Sequence, residues 1–88
     1  MTRYRLLVDW SVVVQLRELQ PRIQRGVYAL FARLEETPDF LSEFNVTDEK
    51  GRLLDVFIFE DLAFYYWIDF ADRHVKVMAF EPADQSGR

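Results

Sequence analysis

The chain contains no cysteine and only one histidine, His74. Without cysteine there are no disulfides and no thiolate metal site, so helices and sheet must supply the stability, and a reducing cytoplasmic setting is the expectation. No zinc-ligand spacing, phosphate-binding glycine loop or nucleophile elbow is present, and no cofactor or metal is expected. Long apolar runs are missing too: the richest, residues 62–68, spans seven positions between acidic residues, which suits a strand and not a membrane helix. Residues 1–10 carry Arg3, Arg5 and a short apolar run interrupted by Asp9, so no export signal is expected.

What is present is apolar and aromatic. Half of the 88 residues are hydrophobic and 16% are aromatic, enough to offset chain entropy with one core, and a single domain is expected over residues 1–88 with a flexible tail at 83–88. Net charge is −4 and unevenly divided. Residues 1–35 hold six basic and three acidic side chains, whereas residues 36–88 hold five and twelve. Binding along a nucleic-acid backbone is driven by Lys and Arg, so any such role falls to the first part, and nucleic acid is not the expected partner.

The pattern of elements is strand, helix, helix, strands. Residues 4–10 alternate as a strand with Tyr4, Leu6, Val8 and Trp10 on one face. Ser11 is the expected N-cap of a first helix running through Leu19; the valines at 12–14 leave a strand continuing to Gln15 as the alternative. Pro21 starts a second helix, whose stripe is Ile23, Val27, Leu30, Phe31 and Leu34, and Thr37-Pro38 ends it. A short helical turn is expected within residues 39–44. After the polar loop Asp48-Glu49-Lys50-Gly51, three strands are expected at residues 52–59, 63–70 and 74–81, with a tight corner at Glu60-Asp61. The fold class is therefore α+β, one domain in β-α-α-β-β-β order, with two helices packed on one face of a twisted antiparallel sheet.

Strand parity sorts the faces. Leu54, Val56, Ile58, Phe64, Tyr66, Ile68, Phe70, Val75, Val77 and Ala79 are the expected core. The other set, an uncovered face of aromatics and charges, contains Asp55, Phe57, Phe59, Tyr65, Trp67, Asp69, His74, Lys76, Met78 and Phe80. Exposed aromatic patches mark partners, so Phe57, Phe59, Tyr65, Trp67, Met78 and Phe80 are the expected partner-binding residues. On the second helix Arg22, Arg25 and Arg33, helped by Arg17, are candidates for phosphate contact; the simpler reading is a solvated face. Glu60, Asp61, Asp55 and Glu81 fit no cation-ligand spacing and read as an acidic edge that discourages sheet pairing.

This order of elements resembles the RelE/ParE family of toxins from bacterial toxin-antitoxin modules. The matching residues are Tyr4-Arg5-Leu6-Leu7-Val8, Leu16 with Leu19-Gln20-Pro21, Leu34-Glu35-Glu36-Thr37-Pro38, residues 57–66, and Val75-Lys76-Val77-Met78. Family members usually carry Gly-Asp-Tyr-Arg at the second hairpin, where this chain has Glu60-Asp61-Leu62-Ala63. Near the end of the last strand they often carry another arginine, where this chain has Phe80-Glu81-Pro82. In RelE-like ribonucleases such arginines hold the phosphate and stabilise developing charge, which a carboxylate cannot do. The resemblance therefore implies the fold and a protein partner, an antitoxin segment or a second copy of the chain forming a homodimer, more than it implies catalysis. If the chain is an endoribonuclease or a ParE-like gyrase inhibitor instead, the catalytic candidates for the former are Arg73, His74 and Lys76.

Overall fold

The computed structural model describes residues 3–39 and 41–85. Five strands form one sheet in the order β1-β5-β4-β3-β2, with β1 Arg5–Val8, β2 Phe44–Thr47, β3 Leu53–Phe59, β4 Leu62–Asp69 and β5 His74–Pro82. Two helices, α1 Trp10–Leu16 and α2 Pro21–Glu36, connect β1 to β2. The expected α+β class is what the chain adopts. Two details add to it: β2 is a fourth strand after the helices, and β1 lies parallel to β5, so the sheet is mixed.

Residues 11–15 are helical, but Asp9 caps the helix instead of Ser11. Its carboxylate accepts from both the amide and the hydroxyl of Ser11, which holds the Asp9 carboxyl below the usual carboxylate range. β1 consequently stops at Val8, and Trp10 becomes the first helical residue, 66% exposed. α1 also ends earlier than expected, at Leu16. α2 keeps its predicted start at Pro21, and Val27, Phe31 and Leu34 from its apolar stripe are buried. Residues 38, 39 and 41 are turn, 42 and 43 are irregular, and Phe44 already begins β2, so the expected helical turn is not seen among them; residue 40 lies outside the described set.

The assignment of faces needs correction on β3 and on part of β5. Glu60 and Asp61 form a two-residue hairpin in which both have positive φ, 52° and 62°. That turn sets Phe59 opposite Leu62 and Phe57 opposite Phe64, so odd positions of β3 share a face with even positions of β4. Phe57 is 2% exposed and stacks on Phe64 at 4.9 Å between ring centroids. Leu54 and Val56 are buried as expected, but they and half-buried Ile58 lie on the face away from the helices. Along β4–β5 a bulge places Tyr66 opposite Val77 but Tyr65 opposite Ala79, leaving Met78 as the extra residue. Past the bulge the parity flips, so Phe80 stacks on Phe64 at 5.0 Å on the helix side while Ala79 is exposed on the open side. Phe70, expected in the core, is 62% exposed and meets Tyr4 edge-on.

The main core thus lies between α1, α2 and the face bearing Phe57, Phe64, Tyr66, Ile68, Val75 and Val77. Gly26 marks the closest approach of α2 to the sheet: a Cβ there would overlap the Phe59 ring, with Cε2 only 2.8 Å away. Buried Tyr66 donates its hydroxyl to Pro38 O at 2.7 Å, which ties the α2–β2 connection to the centre of the sheet. Ala83–Gln85 forms a 3-10 turn whose Ala83 amide donates to Asp61 O at 2.8 Å; residues 86–88 of the expected tail lie outside the described set. Among the described residues no helix is long and apolar enough to cross a membrane.

Candidate docking surface

Of the six aromatic and methionine residues expected on the uncovered face, the sheet register leaves Tyr65 and Trp67 there, both half-buried, with Met78 at the bulge. Phe57, Phe59 and Phe80 belong to the helix-side packing instead. The charge of the face changes as well. Asp55 pairs with Tyr66 on the helix side, at the sheet margin, where its Oδ1 accepts from Ser42 Oγ and Asn45 Nδ2, each at 2.7 Å. Arg52 joins the open face through its guanidinium, 5.6 Å from the Trp67 ring centroid, and the register adds Arg5 beside His74. One end of the face therefore carries Arg5, Lys76, His74 and Arg52, the last paired with Asp48 at 2.9 Å, in company with Asp69. At the other end Glu81 accepts from the Tyr65 hydroxyl at 2.6 Å.

The three catalytic candidates do not converge. Arg73 closes the β4–β5 turn with φ 57°, and its guanidinium lies 4.4 Å from the centroid of Tyr4, a residue packed against the core. His74 and Lys76 face the open side, opposite Asp69 and Trp67 respectively. Arg17 stacks 5.4 Å from the Trp10 ring, and Arg22 pairs with Glu60 at 3.4 Å, both within the protein. Arg25 and Arg33 stand on exposed positions of α2. The four arginines are thus spread over two helices without a common cradle. Among the described residues no group of three or more His, Asp or Glu comes together as a metal site.

A different surface emerges on the helix side. Leu6 and Val8 of β1, Val13 and Leu16 of α1, and Tyr28, Phe31, Ala32 and Glu35 of α2 line an open groove of about 350 Å³. Glu35 is its one charged wall residue. Tyr28 is 50% exposed, and Trp10 and Val14 on α1 are 66% and 41% exposed. The α2 register explains the wall. Tyr28, Ala32 and Glu35 form a second stripe next to the core stripe, and Phe31 serves both. Tyr28 and Ala32 carried the only sequence signal for this groove; its other walls come from elements that meet only in the folded chain.

No protein-family model matches the chain, and no curated protein does. Solved structures do. The archaeal RelE–RelB complex of Pyrococcus horikoshii is similar over 98% of this chain and 100% of that one, with TM-score 0.82 at 21% identity. The Mycobacterium tuberculosis toxin-antitoxin complex RelBE2 matches over 92% and 99%, with TM-score 0.77 at 18% identity. A mutant of the Escherichia coli toxin RelE in the free state matches over 97% and 88%, with TM-score 0.71 at 16% identity. The chain has a RelE-like toxin fold.

Proposed function

We propose that this chain is a toxin-antitoxin scaffold that works by holding a protein partner, and that the partner is an antitoxin-type segment whose apolar side chains enter the groove between β1, α1 and α2. The observation that carries this reading is the groove itself, an apolar channel whose wall residue Tyr28 is left 50% exposed and whose one charged lining residue is Glu35. Apolar exposure of this kind marks interaction surfaces, and an amphipathic segment folding into a groove satisfies it. Two of the similar structures are complexes of a toxin with its antitoxin, which supports the choice of partner. The test is calorimetry of the chain with the protein encoded by the neighbouring gene. Ala32→Asp, on an exposed groove position, should weaken binding about tenfold or more, because it buries an unpaired carboxylate.

A second reading, contact with single-stranded RNA on the open face, draws on Arg5, Arg52 and Lys76 near Trp67, since stacking platforms need basic company. It has less support for cleavage, because where the resemblance would place arginines this chain has Ala63 and, near the end of β5, Phe80-Glu81-Pro82. Loss of RNA binding on Trp67→Ala would favour it.

A further inference from the structure

The sheet has two outer strands, β1 and β2, and their flanking charges differ in a way that decides what each can pair with. β2 runs between Glu43 and Asp48. Antiparallel pairing of two copies across its centre would set Glu43 of each copy against Asp48 of the other, and like charges placed opposite each other oppose pairing. Both carboxylates already hold backbone amides, Glu43 that of Ile58 at 2.7 Å and Asp48 that of Arg52 at 2.8 Å. Self-pairing across the centre of that edge is opposed at both ends.

β1 has the opposite pattern. Arg5 and Asp9 donate their amides inward, to Arg73 O and Val77 O of the β5 side, at 2.8 and 3.0 Å. The alternation of a strand then turns the backbone groups of Leu6 and Val8 away from the sheet. We infer that β1 pairs antiparallel with β1 of a second copy of this chain, about a two-fold axis through Leu7. In that register Leu6 exchanges both backbone hydrogen bonds with Val8 of the second copy. Leu7 faces Leu7, and Arg5 faces Asp9 on the same side of the sheet. The register one step over, which would set Arg3 against Asp9, needs the Tyr4 backbone to pair with Val8, and the Tyr4 amide already donates to Glu35 O at 2.8 Å; the register through Leu7 sets Arg5 against Asp9 at both ends without using Tyr4. It also covers Leu7, which is 40% exposed, and continues the sheet from five strands to ten. This dimer is independent of the partner-docking reading above, because it uses the outer backbone of β1 and its odd-numbered side chains, not the α1–α2 walls of the groove.

The absence of cysteine makes the test direct. Leu7→Cys introduces a sole thiol, and directly opposed residues of an antiparallel non-hydrogen-bonded pair lie at a distance a disulfide can span. Under oxidised glutathione, Leu7→Cys should cross-link to a dimer at least about tenfold faster than Leu53→Cys, a control at a position 60% exposed near the other edge. By sedimentation equilibrium the unmodified chain should dimerise, and Arg5→Glu, which sets two carboxylates together, should raise the dissociation constant about tenfold. Circular dichroism confirms that each variant is folded. A chain monomeric at every concentration, or Leu7→Cys cross-linking no faster than Leu53→Cys, overturns the inference. Neither result touches the Ala32→Asp binding test, so the two readings fail separately.

Discussion

Ala63 and Glu81 stand directly opposite each other across β4 and β5. The RelE/ParE resemblance would place one arginine at Ala63 and another near the end of β5, where this chain has Phe80-Glu81-Pro82, so this part of the sheet holds a buried methyl and a carboxylate where cations are expected. Glu81 is further occupied by the Tyr65 hydroxyl at 2.6 Å. Losing one charge-stabilising donor typically costs 10²–10³ in rate, about 3–4 kcal/mol. Purified protein added to translating ribosomes is therefore expected to leave mRNA intact when cleavage is followed by primer extension.

Gly26→Ala should destabilise the fold, although alanine in a helix interior is ordinarily better than glycine by about 1 kcal/mol. The added Cβ meets the Phe59 ring, and overpacking costs about 1–3 kcal/mol. Urea denaturation should give a lower midpoint for Gly26→Ala and partial recovery when Phe59→Leu is added. An increase in stability for the single variant would show that Phe59 does not press on α2.

Glu60 and Asp61 both occupy left-handed backbone, which costs a residue with a Cβ about 1–2 kcal/mol. Asp61→Gly should raise the melting temperature, because it relieves this cost in a turn whose twist suits the hairpin. The Ala83 amide still finds the backbone carbonyl of residue 61, so that tie is unaffected. Calorimetric melting measures the gain, expected at about 1 kcal/mol.

Burial, with the negative charges of Asp55 and Asp39 adding to it, pushes the Tyr66 phenol above its ordinary value of 10.0; the neighbouring Ser42 hydroxyl opposes the shift. The folded-state pKa lies above the unfolded one, so the protonated phenol's contribution is complete below pH 10 and is lost as pH rises beyond it. Tyr66→Phe leaves Pro38 O without its donor and should cost about 1–2 kcal/mol at neutral pH. The variant should also lose less stability than the unmodified chain between pH 10 and 11. Stability curves for the two proteins that run parallel through that interval would contradict this assignment.

The sequence made the elements legible and their mutual facing only in part. The α2 stripe and the alternation in β4 and β5 are local, so they survive folding. Whether Phe57 or Val56 faces the helices is decided by a turn: the two-residue hairpin at Glu60-Asp61 couples odd positions to even ones. The bulge at Met78 then reverses the coupling for Phe80. β2 was hidden because Phe44–Thr47 is only four residues long and acquires its structure by pairing with β3. The groove was illegible for a related reason. Its walls come from β1, α1 and α2, and only the secondary stripe Tyr28–Ala32 hints at it in the sequence. Phe57→Ala and Trp67→Ala separate the two kinds of aromatic: the first should cost about 3–5 kcal/mol of stability, the second much less.

The most direct test is titration calorimetry with the protein encoded by the neighbouring gene, using unmodified chain, Ala32→Asp and Lys76→Ala. The scaffold account predicts a stoichiometric complex, weakened about tenfold or more by Ala32→Asp and unchanged by Lys76→Ala. Binding indifferent to Ala32→Asp but abolished by Lys76→Ala would contradict it and move the functional surface to the open face of the sheet.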